Sequence, residues 1–174
     1  MKTTELKLYR LELGDVRTWL AAAAFVAGNI ILPQLLHLLP GGGVRFLPIY
    51  FFTLVGAYKY GWRAGLLTAL ISPMLNSLLF GMPVVDALPA IMFKSSLLAV
   101  FAGVAASRFE KASIGALMAV VLGYQVVGTL GEWAIKGDFL LACQDFRIGI
   151  PGMLLQIIGG WAVINLSALI RHQE

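Results

Sequence analysis

Charge and cysteine are the two things this chain has least of. Only 13% of its 174 residues are Asp, Glu, Lys or Arg, about half the ~25% of a soluble domain. Cys143 is the single cysteine, which excludes an intrachain disulfide and a Cys-based metal cluster. The two histidines, His37 and His172, stand far apart and read as interface residues rather than metal ligands. No HExxH, CxxC, GxSxG or GxxxxGK(S/T) pattern occurs, and no adjacent glutamate pair. Metalloprotease, dithiol, serine-hydrolase and P-loop chemistry therefore have no carrier in the sequence. The expectation is a protein that is not an enzyme and holds no cofactor or metal.

What fills the chain instead is apolar residues, 59% of the total, with a mean hydropathy of +0.85. This composition belongs to a polytopic membrane protein of one domain. Residues 1–17 read as a short polar cytoplasmic segment, and their mixture of acids and bases does not fit a cleavable signal peptide. Apolar runs then predict an all-α, compact bundle of six transmembrane helices over about 18–39, 46–60, 63–82, 87–107, 112–133 and 148–170. The run Pro40-Gly41-Gly42-Gly43 interrupts the first two spans, because it cannot continue a helix cheaply. The connection 136–147 is the longest after the first. With the N-terminus inside, nine Lys/Arg fall on the cytoplasmic side and three (Arg45, Lys136, Arg147) outside, with Lys94 inside the membrane. That bias predicts cytoplasmic termini. It also accounts for the net charge of +4 without nucleic acid.

Lys94 is the most informative residue. An ammonium at membrane depth costs at least ~2.5–3.5 kcal/mol on insertion scales. Either it is buried against a partner or a ligand, or its stem lifts the charge to the interface. Other polar groups fall at a similar depth. Asn76 lies late in the third span. Gln125, Gly128 and Glu132 are spaced three and four apart, so they share one face of the fifth, and Trp133 follows. Gly149, Gly152, Gln156 and Gly160 share a face of the sixth. Together these predict a pocket in the outer half of the bundle lined by Asn76, Lys94, Gln125, Glu132, Trp133 and Gln156, while the inner halves are nearly pure Ala, Leu, Val and Ile. For each residue a structural role competes: amides bond between helices, Trp133 can belong to an interfacial belt, and Lys94 and Glu132 can neutralise each other. On the first span, Ala23/Ala27 and Ala24/Gly28 form small-xxx-small pairs that let another helix approach, from the same chain or another subunit.

With these features in place, the chain resembles the substrate-binding S components of energy-coupling factor (ECF) vitamin transporters. Residues 41–81 (GGGVRFLPIYFFTLVGAYKYGWRAGLLTALISPMLNSLLFG) look like that family's second and third helices, and RIGIPGMLLQIIGG looks like its final helix. The resemblance implies a bacterial or archaeal cell-membrane protein that captures a vitamin or related small molecule from outside. It implies that Ala23-xxx-Ala27, with Ala24-xxx-Gly28 as a close variant, faces a transmembrane T subunit, and that two cytoplasmic ATPases drive uptake. A structural scaffold of the cell-shape machinery, with similar architecture and no ligand, is the rival. The sequence leaves the ligand open. An unpaired Lys94 favours a carboxylate or phosphate partner, and a Lys94 already neutralised by Glu132 removes that preference.

Overall fold

A computed structural model describes residues 12–109 and 112–170, with side chains to 166. The polar segment expected over 1–17 lies mostly outside the described residues, as do the two ends of the chain. Among the described residues the protein is all helical. In chain order the helices are α1 (Val16–His37), α2 (Gly42–Phe46), α3 (Phe51–Tyr60), α4 (Trp62–Phe80), α5 (Leu88–Arg108), α6 (Ile114–Lys136), α7 (Phe139–Ala142), α8 (Gln144–Arg147), α9 (Ile150–Leu154) and α10 (Gly160–Ile170). A π-helical turn, Leu155–Gly159, joins α9 to α10.

Helix ends follow local chemistry. Asp15 accepts the Arg17 amide at 2.8 Å to start α1, and Ser113 accepts the Ala116 amide at 3.1 Å to start α6, each satisfying an otherwise orphaned first-turn donor. The single residue between α3 and α4 is Gly61, at φ 96° and ψ 161°, a conformation essentially open to glycine alone. It folds α3 back onto α4, where Gly65 packs directly on Ala57.

Among the described residues four helices are long and apolar enough to cross a membrane: Val16–His37, Trp62–Phe80, Val85–Arg108 (counting the 3₁₀ turn before α5) and Ile114–Lys136. The expected second span is different. It is a 3₁₀ turn over Pro48–Tyr50 followed by the ten-residue α3, about 15 Å long at 1.5 Å per residue. It packs against α1, α4, α5 and α10, with Leu54, Ala57 and Tyr58 completely buried. A helix wrapped in protein has its surface satisfied by side chains, so bilayer thickness does not dictate its length. The expected sixth span is helical through to Ile170 with the π turn inside it, and its apolar helix among the described residues is Ile150–Leu166.

The helices are apolar on both faces, as a lipid solvent requires. On α6, Leu117, Val121, Tyr124 and Gln125 are buried, while Met118, Leu122, Val126 and Leu130 form an outward stripe more than 40% exposed. Along the second half of α5 and into α6 the interior is closed by Leu117 and by Ala99, Ala102, Ala105, Ala106 and Ala112, small residues that let helices approach closely.

Candidate functional site

At the end of the bundle where α1, α4 and α6 finish and α5 begins, a cavity of about 520 Å³ opens, within the usual range of small-molecule sites, ~300–1,000 Å³. Its walls come from α1, the α1–α3 connection, the α4–α5 connection and the segment after α6. Most of the lining is apolar, including Leu47, Pro48 and Ile91, and the charged groups meet at one place.

That place is Lys94. Its side chain is 2% exposed, and its Nζ lies 2.6 Å from Glu132 Oε2 and 2.8 Å from Asp145 Oδ2. Lys136 Nζ reaches Glu132 Oε1 at 3.0 Å from one helical turn further on. The lysine is therefore buried and paired, and the alternative of a charge lifted to the interface is not realised. The α6 spacing explains how it fits. Gly128 sits one turn before Glu132, and a Cβ there would come 2.6 Å from Lys94 Cγ. The missing side chain is the groove in which the lysine stem lies.

Asn76 is placed by a proline in another helix. Pro33 has no amide hydrogen, so the carbonyl four residues earlier in α1, that of Asn29, lacks its helical partner. Asn76 Nδ2 donates to Asn29 O and to Ser72 O, both at 2.9 Å. Both amide hydrogens are spent on carbonyls, which determines the orientation of the group. Its Oδ1 has no partner among the described residues, although Asn76 is only 1% exposed and lines the cavity. An unsatisfied buried acceptor of this kind costs about 1–3 kcal/mol.

Asn29 holds the layer beneath. Its Nδ2 donates to Thr53 Oγ1 at 3.1 Å and Ser72 Oγ at 3.3 Å, and its Oδ1 accepts the Phe52 amide at 3.1 Å. That amide is a first-turn donor of α3, so α1 supplies the cap that α3 lacks. Thr53 in turn meets Ser95 Oγ at 3.4 Å.

Of the residues expected to form the pocket, Asn76, Lys94 and Glu132 line this cavity. Gln125 and Gln156 are fully buried in a separate cluster. Gln125 Nε2 donates to Tyr124 Oη at 3.1 Å, and Tyr124 Oη donates to Gln156 Oε1 at 3.0 Å. The Tyr124 ring lies 5.6 Å from that of Tyr50, which does line the cavity, so the glutamines sit behind its wall. Trp133 is 46% exposed and meets Phe139 edge-on at 5.4 Å. One residue past Glu132 is a rotation of ~100°, which puts it on the outward stripe and off the cavity. Gly28 is covered by Phe52 of the same chain, whereas Ala23, Ala24 and Ala27 remain exposed.

Asp145 and Asn29 are the residues that sequence reasoning missed. Asp145 lies in a polar connection 51 residues from Lys94, and no local pattern links the two. Asn29 in an otherwise uncharged span, four residues before a proline, was the available signal. No protein-family model, curated protein or solved structure matches this chain.

Proposed function

We propose that the chain is the membrane-embedded substrate-capture subunit of an ECF-type importer, a binding protein rather than an enzyme. On this reading six segments cross a bacterial or archaeal cell membrane, both termini are cytoplasmic, and the cavity opens outward to take a vitamin or related small molecule. A transmembrane T subunit and two cytoplasmic ATPases supply the energy.

The observation that carries the reading is the cavity itself. It lies at one end of the bundle and gathers a buried lysine, two carboxylates and an unsatisfied amide oxygen against apolar walls. Intramembrane ionisable residues default to function, and a few convergent polar groups in an apolar pocket are what small-molecule recognition needs. The opposite end is packed with alanine, which favours a site reached from one side over a pore. The exposed Ala23, Ala24 and Ala27 on α1 suit close approach by a partner helix. A scaffold without a ligand leaves the cavity unexplained.

Native mass spectrometry of the protein released gently from detergent tests this reading. The expected result is a co-purified vitamin-sized molecule, lost in the double variant Lys94→Met/Glu132→Gln, which removes one charge of each sign. A bare mass, together with no thermal shift from a panel of B-vitamins and their precursors, would transfer weight to the scaffold.

A further inference from the structure

We propose that the cavity selects a neutral or cationic small molecule bearing N–H donors and rejects carboxylates and phosphates. The inference rests on the capture reading and names the class of molecule captured.

A buried lysine in a pocket suggests an anion receptor, but this lysine is already neutralised. Two carboxylates hold its Nζ at 2.6 and 2.8 Å. The Lys94 side chain is 2% exposed, against 12% for Glu132 and 13% for Asp145. The two acid side chains are thus more open than the lysine they pair with. Two lysines and two acids balance in charge. An anionic ligand would add an uncompensated charge to a buried site, or would have to part Lys94 from its partners.

The second observation is independent of the charges. Asn76 lines the cavity with both amide hydrogens committed to carbonyls, and its buried Oδ1 is an acceptor with no partner among the described residues. A donor on the ligand would satisfy it. Asp145 is engaged through Oδ2 alone, which leaves Oδ1 as a second acceptor. Lys136, 22% exposed at the end of α6, is the partner of Glu132 that can be exchanged. A cationic ligand that takes its place lets Lys136 turn to solvent and keeps the buried charge in balance. The apolar walls at Leu47, Pro48 and Ile91 suit a ring-sized body.

Saturation-transfer NMR on the purified protein in lipid nanodiscs tests this with three probes of one shape: 4-aminoquinoline, quinoline and quinoline-4-carboxylate. The expected result is a preference for the amine over the carboxylate of about tenfold or more. Asp145→Asn should shrink that preference severalfold, and helical circular dichroism reports that the variant is folded. Asn76→Leu should do the same. If Asn76→Leu no longer takes quinoline, the Asp145→Asn ratio decides. Equal or tighter binding of the carboxylate overturns the donor-ligand inference and leaves capture standing. No transfer to any of the three overturns both. An amine preference unchanged in the folded Asp145→Asn variant overturns the role given to these acceptors.

Discussion

Two buried polar clusters sit one above the other in this bundle, and they are built to different rules. Around Asn29 the groups are neutral and spent on one another: the amide uses both its donor and its acceptor, and Thr53, Ser72 and Ser95 complete the set. Around Lys94 the groups are charged, border a cavity and leave acceptors over. The first is the arrangement of a joint between helices. The second keeps capacity in reserve, which is what a binding site must do and a joint need not. Asn76 belongs to both: its hydrogens are spent in the joint, and the residue lines the cavity with its oxygen unpaired among the described residues.

The contrast can be broken most forcefully at Lys94. Lys94→Met leaves the largely buried Glu132 and Asp145 with Lys136 as their counter-charge among the described residues. A loss of about 3–5 kcal/mol is expected, read as unfolding in detergent, and adding Glu132→Gln should recover part of it. A single variant as stable as the parent would show that the ion pairs do not hold the bundle.

Gly128→Ala comes next. The new methyl group would press on Lys94 Cγ at 2.6 Å, so a cost of about 1–3 kcal/mol is expected, together with weaker ligand binding as the ammonium is pushed from its partners. Gly115, with nothing near its Cβ position, is the matched control, and Gly115→Ala should change neither property. Equal effects at the two glycines would deny Gly128 its role as the lysine groove.

Asn29→Leu separates the clusters more finely. It strands the Phe52 amide and should cost about 1–2 kcal/mol of stability, with ligand affinity measured by calorimetry changing far less than stability. An affinity loss with no stability loss would reverse the two roles. The smallest effect is expected from Trp133→Phe, on the outward stripe of α6. Stability should stay within about 0.5 kcal/mol, and ligand affinity should not move.

The sequence carried much of this, unevenly. Helical content, the four long apolar helices and the common face of Gln125, Gly128 and Glu132 all follow from hydropathy and a period of 3.6. The choice of Glu132 over Trp133 for the cavity could not be made from spacing. Both lie near the same helix end, and which faces inward depends on where α5 packs. Gln125 and Gln156 were legible as buried amides but not as partners of Tyr124, since the three meet only when the π turn lies against α6. The short α3 was hidden for another reason. Its residues are as apolar as those of a span, and hydropathy does not distinguish burial in protein from burial in lipid.

By itself, then, the sequence determined that the chain folds into apolar helices, that one of them carries a lysine requiring compensation, and that polar groups gather toward one end. These are one-dimensional properties, set by side-chain transfer energies and helical repeat. Only the tertiary structure decided what compensates the lysine, because Asp145 reaches it from 51 residues away through a connection with no periodic pattern. It also decided that Pro33 frees a carbonyl for Asn76, which spends the Asn76 amide hydrogens and leaves its oxygen without a partner among the described residues. Both are consequences of which helices become neighbours, and that is settled by packing across the whole chain rather than by any one stretch of it.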